Sequence, residues 1–490
     1  MTRVGYLGID LGGTGAKAAV YDLRGVALGC GHATFAPTHT SDGRAETAIE
    51  EIMAAARAAT GEAIAQSGAT IRAASVSSQG QTFVALDEAD RPLHPVIMWY
   101  DCRAAQEAAQ LRAALARVPA ARRLEIEAIA TAPKIMWLHA HAGVPPARRY
   151  LLLPDYLAYH LTRQAVTDIN TASSTGLFWD DAEGYCQEAL DAAGIRETQL
   201  SEIRRPGTVI GRVRAERARE WGLSPETVLV TGTNDQYAGA LGAGNTHPGL
   251  VSETTGSCLA LVALTERLPD PLPPGMFGGR FPIPQYQFAL AFAKTAGLAL
   301  EWFARECGAG ASLADLNAHA AAVPIGSRGV TVLPHFDGAI SPHPDARARG
   351  HICNLTLGHT RADLYRALLE SISFSLRENL EMLQRAGFAI ASIRSIGGGA
   401  KSDLWLRMKA DVSGHIVERP AVMEASTLGA ALLAAVGVGA FASLEEAAAA
   451  AVRIDAVFTP AAQATQEYQG PYEQYLRLSR TLYHVADGGC

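Results

Sequence analysis

The chain has 490 residues, 48% hydrophobic and 19% charged, which is enough for two or three domains with a large core. Its formal net charge of −7 disfavours nucleic acid or an anionic membrane as the main partner. Seven scattered cysteines without a Cys-x-x-Cys pair indicate reduced thiols and a cytoplasmic location, rather than disulfides or a zinc site. The first residues lead directly into a predicted strand, so we expect no secretory signal.

A glycine-rich turn follows the first predicted strand. The strand begins near Tyr6 and ends in an acid, Asp10, and a second strand runs from Ala16 to Tyr21. Glycines let backbone N–H groups approach an anion closely, and a carboxylate is a good ligand for a hard cation. A phosphate and a divalent metal therefore suit this hairpin, whose turn consists of Gly12, Gly13, Thr14 and Gly15. The alternative is a plain hairpin, because such turns are common.

Two other phosphate-binding patterns do not fit this turn. A P-loop needs Gly-Lys-Ser/Thr at the start of a helix, whereas Lys17 stands between two alanines. A dinucleotide-binding fingerprint needs a helix after its last glycine, and the residues after Gly15 do not have helical spacing. The turn therefore predicts a phosphate site between two strands.

A second acid follows a buried strand later in the chain. The short apolar segment Thr227 to Thr231 predicts a strand, and Asp235 comes shortly after it, at the start of a helix of small residues. A helix N-terminus favours the anionic form of an acid. Asp235 could therefore accept a proton from a substrate hydroxyl, with Gln236 binding a neighbouring hydroxyl. The alternative is that Asp235 only caps the helix.

The opening pattern recurs at the middle of the chain. After the linker ending at Gly249, two strands enclose a turn of Thr254, Thr255, Gly256 and Ser257. This turn corresponds in position to Gly12–Gly15, and a boundary near residue 247 divides the chain almost in half. We therefore predict an internal duplication with domains at 1–246 and 247–490, which favours phosphate binding over a plain hairpin.

Polar and aromatic residues follow several strands of the first half. In open α/β sheets, ligands bind at the carboxyl ends of strands. Neutral donors and acceptors with one aromatic face suit a sugar, and this set provides both: Gln79, Gln81, Trp99, Asp101 and Arg103. Gly80, between the two glutamines, belongs to the same predicted substrate site. The alternative is a buried tryptophan beside a surface Asp101–Arg103 pair.

A run of glycines separates a strand from a helix near residue 400. The strand is Ile393 to Ile396, and the helix runs from Asp403 to Ser413 after a Ser402 cap. Without side chains, the backbone of Gly397, Gly398, Gly399 and Ala400 could support a flat ring or a phosphate, which favours an adenosine pocket over a tight turn. Further on, the apolar stretch Ala425 to Phe441 is short for a membrane span and predicts a buried helix.

These segments together resemble the FGGY family of carbohydrate kinases, in the family's order and over nearly the whole chain. The matching segments are Gly8 to Gly15 with Lys17; Trp99, Asp101 and Arg103 at alternate positions; Gly232 to Gln236; Thr254 to Gly256; a loop with Pro342, His343, Arg349 and Gly350; and Gly397 to Ser402 with Ala425 to Ala430.

The resemblance implies an α/β chain of two RNase H-like (actin/hexokinase-type ATPase) domains flanking a central cleft. It implies ATP and Mg²⁺ as cofactors, Asp10 near the metal and Asp235 as the base. It also implies that the Gly12–Gly15 turn, Lys17, Thr255, Gly256 and Gly297 lie near the phosphates, and Gly398, Gly399, Ala400 and Ser402 near the adenosine. A small-molecule partner and a possible homodimer are the expected associations.

The resemblance leaves the sugar open. Xylulokinases typically carry Met-His-Gly where this chain has Gly80, Gln81 and Thr82, and glycerol kinases carry Arg-Glu at the first two of these positions. Glycerol is disfavoured because that charged pair is missing. The element from Trp99 to Arg103 is more similar to pentulose kinases, so a ketopentose such as D-xylulose is our prediction. Another ketose, gluconate, a polyol, a non-catalytic ATPase of the same superfamily and a sugar-responsive regulator remain alternatives.

Overall fold

A computed structural model describes residues 3–40, 43–118, 126–179 and 183–483 of the chain. The chain divides into two compact units. The first unit consists of Met1–Gly244, Gly279–Pro284 and Ala425–Val452, and the second of Asn245–Gly278, Gln285–Glu424 and Arg453–Cys490. These units differ from the predicted domains 1–246 and 247–490, because two later segments of the chain pack with the first unit.

Strands and helices alternate through most of the chain. Up to residue 244 they are β1 (Val4–Leu11), β2 (Gly15–Tyr21), β3 (Ala27–Thr34), β4 (Thr38–His39), β5 (Ala45–Thr47), α1 (Ile49–Ser67), β6 (Thr70–Ser78), β7 (Phe83–Leu86), β8 (Val96–Ile97), α2 (Ala105–Ala114), α3 (Thr131–His141), β9 (Arg149–Leu152), α4 (Leu153–Thr162), β10 (Val166–Asp168), α5 (Ile169–Ser173), β11 (Phe178–Trp179), β12 (Gly184–Tyr185), α6 (Gln187–Ala193), β13 (Glu202–Arg204), β14 (Val209–Arg212), α7 (Ala215–Trp221), β15 (Val228–Asn234) and α8 (Asp235–Gly242).

The remaining elements follow residue 244. They are β16 (Gly249–Thr255), β17 (Leu259–Thr265), β18 (Met276–Arg280), β19 (Gln287–Ala293), α9 (Gly297–Glu306), α10 (Leu313–Ala321), β20 (Thr331–Leu333), β21 (His351–Cys353), α11 (Arg361–Arg385), β22 (Ile390–Ile396), α12 (Asp403–Ser413), β23 (Ile416–Pro420), α13 (Ala425–Gly437), α14 (Leu444–Ala451), β24 (Ile454–Phe458) and α15 (Ala462–Tyr483).

The main sheet of the first unit has the strand order β14-β15-β6-β1-β2-β3. Strands β1, β6 and β15 are parallel, while β2 is antiparallel to both β1 and β3. Parallel strands end at the same edge of a sheet. Asp10 on β1 is therefore paired with Ser77 on β6, and Ser77 with Thr233 on β15, so the ends of all three strands lie side by side.

The main sheet of the second unit has the same design. Its strand order is β18-β19-β17-β16-β22-β23-β24, in which β16, β22 and β23 are parallel. Strand β17 is antiparallel to both β16 and β19, and β24 is antiparallel to β23. The run β19-β17-β16-β22-β23-β24 thus repeats β3-β2-β1-β6-β15-β14 in order and direction. Each unit contains an RNase H-like sheet, as the predicted fold class and internal duplication require.

A second sheet lies in the first unit, between β3 and β10 in the chain. Its order is β4-β5-β8-β7-β9. It shares an apolar core with α2, α3 and α6, in which Phe83, Ile97, Leu111, Ile135 and Leu190 are buried. This sheet carries the segments around Gln81 and Trp99, which precede β7 and follow β8.

The helix predicted at the small-residue stretch is confirmed as α13, and all of its residues from Thr427 to Ala435 are buried. It packs closely on its neighbours because glycines replace side chains at the contacts. A Cβ at Gly8 would lie 1.8 Å from the Thr427 carbonyl oxygen, and one at Gly429 would lie 1.9 Å from that of Ala238. No helix among the described residues is long and apolar enough to span a bilayer.

We expect Gly429→Ala to lower the free energy of unfolding by about 1–3 kcal/mol or more, because backbone atoms of α8 occupy the space that the new methyl group needs. Thermal unfolding measures the change. Gly61→Ala in α1 is the matched control, because nothing lies within 4 Å of its added Cβ, and we expect it to be neutral or to stabilise by about 0.4–1 kcal/mol. Equal melting temperatures for the two variants would contradict this account of α13.

Candidate functional site

The first hairpin places its acid and its glycine turn at one edge of the main sheet. Asp10 on β1 is paired with Lys17 on β2, and the N–H of Gly12 donates to the Gly15 carbonyl oxygen at 2.9 Å. Ser77 donates its hydroxyl to Asp10 Oδ1 at 2.9 Å, which orients the carboxyl group. The structure thus brings the predicted metal ligand, the predicted phosphate turn and Lys17 into one hairpin.

The same turn lies beside two residues predicted to meet the sugar. An added Cβ at Gly13 would be 3.5 Å from Gln79 Oε1 and 3.8 Å from Trp99 Nε1. Gln79 also donates from Nε2 to the Gly12 carbonyl oxygen at 3.3 Å. Trp99 is partly exposed, so the alternative that it is a buried core tryptophan is wrong.

Gly80 and Gln81 lie at the end of the neighbouring strand β6. An added Cβ at Gly80 would be 2.8 Å from Ser174 Oγ and 3.3 Å from Asn234 Nδ2, so a larger residue would disturb the end of β15. Gln81 has a φ of 61°, a conformation that is uncommon for residues other than glycine. Its carbonyl oxygen accepts a hydrogen bond from Thr131 Oγ1 at 3.2 Å. Gly80 and Gln81 thus lie near the residue that precedes Asp235.

Asp101 and Arg103 form an ion pair, as the structural alternative predicted, but the pair is buried rather than on the surface. Asp101 is 0% exposed, and its oxygens accept hydrogen bonds from the Ala45 N–H and from the backbone and guanidinium of Arg103. Burial alone would raise the pKa of Asp101, yet these hydrogen bonds hold it below its ordinary value. A direct contact of Asp101 with sugar stays a prediction, and its present contacts fix the loop that follows Trp99.

Asp235 is the first residue of α8, directly after β15. The alternative that Asp235 caps this helix is wrong, because the cap is Asn234, whose Oδ1 accepts from the N–H of Gln236 at 3.0 Å. The Asp235 carboxylate accepts a hydrogen bond from Gln236 Nε2 at 3.4 Å. Burial raises its pKa above the ordinary value. Strand spacing puts the Cα atoms of Asp10 and Thr233 about 10 Å apart, with Asp235 two residues further on.

Three predicted nucleotide segments of the second unit meet at Thr255. An added Cβ at Gly397 would be 2.9 Å from the Thr255 carbonyl oxygen, and one at Gly399 would be 2.7 Å from Thr255 Cβ. Gly297 donates its N–H to the Gly256 carbonyl oxygen at 2.9 Å. The strand end, the start of α9 and the glycine run after β22 therefore lie together, with little side-chain volume between them.

The other residues of the glycine run, and Ser402 after it, have different surroundings. Nothing lies within 4 Å of an added Cβ at Gly398, so this residue borders open space. Ala400 is 0% exposed, which leaves only its backbone for a ligand. Ser402 accepts a hydrogen bond at Oγ from the N–H of Trp405 at 3.3 Å and so caps α12. An adenosine contact at these positions stays a prediction.

A buried ion pair that the sequence patterns do not predict lies beneath Thr255. Lys409 Nζ lies 2.8 Å from Glu253 Oε2, 2.8 Å from Thr255 Oγ1 and 3.3 Å from Ser395 Oγ, and both charged side chains are 0% exposed. Burial lowers the pKa of Lys409, and the Glu253 carboxylate opposes this effect. Glu253 is paired with Ser395 across parallel strands, as Asp10 is paired with Ser77 in the first unit. In the sequence, the feature that could have indicated this pair is a lysine, Lys409, on the apolar face of a predicted helix.

The donor set at Asp10 fits a magnesium ion that is also held by a substrate. No group of three or more His, Cys, Asp and Glu side chains that could hold a metal occurs within residues 3–40, 43–118, 126–179 and 183–483. Mg²⁺ is commonly bound through one or two carboxylates together with substrate phosphates and water, rather than by a cage of protein ligands. A single carboxylate beside a phosphate turn meets this requirement.

A cavity of about 380 Å³ in the second unit lies under the loop that contains Pro342 and His343. His343 Nε2 lies 3.6 Å from Glu378 Oε1. Burial raises the pKa of Glu378 to about 7 and lowers that of His335 to about 4. The lining residues include none of the predicted nucleotide-binding residues.

Comparisons with known proteins identify the family of this chain. The model of the N-terminal domain of the FGGY family of carbohydrate kinases matches residues 5–242, and that of the C-terminal domain matches residues 255–438. A xylulose kinase of Staphylococcus epidermidis is 28% identical over 99% of this chain and 97% of its own length, and a glycerol kinase of Geobacter is 30% identical over 96% and 98%. The crystal structure of a xyloylose kinase from Brucella ovis superposes with a TM-score of 0.88 at 27% identity, covering 98% of this chain and 100% of that one. The chain therefore belongs to the FGGY family of carbohydrate kinases.

Proposed function

We propose that this carbohydrate kinase transfers the γ-phosphoryl group of ATP to a hydroxyl group of a ketopentose such as D-xylulose. The observation that carries the proposal is the position of Asp235, which leaves its carboxylate available at the sheet edge that also holds Asp10 and the glycine turn. Relatives named xylulose kinase support the choice of sugar. Glycerol is the second candidate because a relative carries that name, but the charged pair expected for it is missing at Gly80 and Gln81.

Asp235 is the proposed general base. Its carboxylate takes the proton of the sugar hydroxyl while the hydroxyl oxygen forms a bond to the γ-phosphorus, and the bond from that phosphorus to the β–γ bridging oxygen breaks to release ADP. A pKa raised by burial makes Asp235 a stronger base than an exposed aspartate. Gln236, which donates to Asp235, would orient the carboxylate and bind a neighbouring sugar hydroxyl.

Asp10 is the proposed ligand of Mg²⁺, directly or through water. The ion would neutralise part of the charge on the β- and γ-phosphates when ATP is bound. Ser77 holds one oxygen of Asp10 at 2.9 Å and so fixes the direction of the carboxyl group. Gly12, Gly13, Thr14, Gly15 and Lys17 would bind the phosphoryl oxygens in the first unit.

The backbone surface around Thr255 is the proposed nucleotide site of the second unit. Thr255, Gly256 and Gly297 would contact the phosphates, and the hydrogen bond from the Gly297 N–H to the Gly256 carbonyl oxygen, at 2.9 Å, holds the last two together. The run of Gly398, Gly399, Ala400 and Ser402 would support the adenosine, and open space beside Gly398 agrees with this role.

The sugar would contact Gln81 and Trp99 in the first unit, beside Gly80. Trp99 would offer its aromatic face to the carbon skeleton, and Gln81 a neutral donor and acceptor to the hydroxyl groups. A cytoplasmic location stays a prediction. A homodimer stays a prediction.

A screen of sugars tests the proposal. The purified chain is assayed for sugar-dependent ADP formation with ketopentoses, ketohexoses, gluconate, glycerol and other polyols. We expect D-xylulose to give the highest kcat/KM, at least about tenfold above glycerol, which corresponds to about 1.4 kcal/mol of transition-state binding. A higher value for gluconate or another ketose would contradict the choice of sugar alone. No increase of ADP formation with any sugar would contradict the kinase assignment.

A further inference from the structure

Helix α3 contacts both loops that carry the proposed sugar-binding residues. Thr131 donates its hydroxyl to the Gln81 carbonyl oxygen at 3.2 Å. Lys134, one turn further along, donates from Nζ to the carbonyl oxygens of Met98 at 2.8 Å and Trp99 at 3.0 Å. Residues three apart lie on the same face of a helix, so one rigid element determines the distance between these two loops.

The Lys134 side chain is 0% exposed, and its hydrogen-bond partners are backbone carbonyl oxygens. Asp101, which follows the loop that Lys134 holds, has both oxygens bonded to Arg103 and to the Ala45 N–H. Within the part of the chain that the structure describes, the ammonium group forms no ion pair with a carboxylate, although buried lysines are usually paired, and the more distant charge of Asp101 favours its protonated form. Burial accordingly lowers the pKa of Lys134 to about 7.

Stability alone does not explain a lysine at this position. Burying an ammonium group costs free energy, and a methionine of similar size would fill the same space without that cost, although it would leave the two carbonyl oxygens without these donors. The lysine orients the backbone, because its N–H groups bind the two successive carbonyl oxygens of Met98 and Trp99. The orientation of the Met98–Trp99 peptide, and with it that of the indole, depends on these two hydrogen bonds.

Gln81 needs a similar support. Its φ of 61° belongs to a sparsely populated region for this residue type, which persists only where the surroundings hold it. The hydrogen bond from Thr131 is one such support. A second contact joins α3 to the segment that faces Gly80, because the N–H of Ala132 donates to the Thr175 carbonyl oxygen at 2.9 Å.

We propose that Thr131 and Lys134 are positioning residues that set the distance and orientation between Gln81 and Trp99, and thereby the preference of the enzyme among sugars. This inference rests on the proposed function, since it assumes that Gln81 and Trp99 contact the sugar. Neither positioning residue contacts the reacting atoms.

Lys134→Met and Thr131→Val test the inference, because each removes the hydrogen bonds and keeps most of the side-chain volume. Thr162→Val in α4 is the matched control, since its hydroxyl donates to the Ala158 carbonyl oxygen at 2.7 Å, outside the sugar loops. For each full-length variant, kcat and KM are measured for ATP and for the two sugars that the wild type phosphorylates best. Melting temperatures show whether each variant is folded.

We expect Lys134→Met to raise the KM of the preferred sugar at least about tenfold and to change the ratio of kcat/KM between the two sugars at least about fivefold. The KM of ATP should stay within about twofold. Thr131→Val should change the sugar ratio in a folded protein even if Lys134→Met does not fold, and Thr162→Val should leave it unchanged. An unchanged sugar KM and ratio in a folded Lys134→Met or Thr131→Val would overturn this inference only. A wild type without sugar-dependent ADP formation would overturn the proposed function as well.

Discussion

Replacement of Asp235 by asparagine is expected to slow phosphoryl transfer to the sugar by about 10²- to 10⁴-fold, the usual contribution of a general base. Asparagine keeps the size and most of the hydrogen bonding of the side chain, but it cannot take the proton of the hydroxyl group. Because Asn234 caps α8, the helix should keep its start in the variant. ADP formation with saturating sugar and ATP measures the rate, and equilibrium binding of a nucleotide should change by less than about twofold.

Asp22→Asn is the matched control for this variant. Asp22 lies in the turn after β2, at the other end of that strand from Gly15, and accepts hydrogen bonds from the N–H groups of Arg24 and Val26. The same chemical exchange there should leave kcat within about twofold. A kcat near the wild-type value in Asp235→Asn, or an equal loss of kcat in both variants, would contradict the assignment of Asp235 as the base.

Lys409→Met is expected to lower the free energy of unfolding by about 3–5 kcal/mol, because it leaves the Glu253 carboxylate buried without a counter-charge. The hydroxyl groups of Thr255 and Ser395 would lose a partner at the same time. Denaturant unfolding measures the change. Since Thr255 supports the proposed nucleotide surface, we also expect weaker nucleotide binding by any folded fraction of the variant.

The double variant Lys409→Met/Glu253→Leu separates the charge effect from packing. Replacing both partners of a buried ion pair by apolar residues is often close to neutral, so the double variant should be more stable than the single one. Arg394→Met is the control on the same sheet, because the partly exposed Arg394–Glu418 pair, at 2.8 Å, should contribute no more than about 1 kcal/mol. A double variant less stable than Lys409→Met would contradict this account of the buried pair.

Local patterns in the sequence were sufficient for much of the candidate site. The helix predicted at Asp403–Ser413 is confirmed, with Ser402 as its cap and Gly414 ending it in a left-handed conformation. The glycine turn lies between two strands as predicted, and Asp235 begins a helix. These features depend on a few neighbouring residues, so composition and spacing contain the necessary information.

Contacts between distant parts of the chain could not be predicted from local sequence patterns. Strand β15 extends to Asn234, beyond the predicted end at Thr231, because Gly232 lets it approach the Val76 carbonyl oxygen on β6. The return of residues 425–452 to the first unit depends on equally close contacts, such as that of Gly8 with α13. Local residue patterns do not identify these partners, because each contact joins segments that are far apart in the sequence.

The two buried lysines have a recognisable position in the sequence of their helices. Lys134 and Lys409 each lie on the apolar face of a helix, next to buried residues such as Ile135 and Met408. Such a position indicates a buried cation with specific acceptors. The acceptors themselves, the carbonyl oxygens of Met98 and Trp99 and the carboxylate of Glu253, come from other elements and become visible only in the folded chain.

The most direct test of the central claim is a phosphorus NMR measurement of the products formed from ATP, Mg²⁺ and D-xylulose. We predict that the wild type forms ADP and one new sugar phosphomonoester in equal amounts, and that Asp235→Asn forms neither at a comparable rate. ADP together with inorganic phosphate, and no phosphorylated sugar, would contradict the account, because phosphate would then be transferred to water rather than to a hydroxyl group of the sugar.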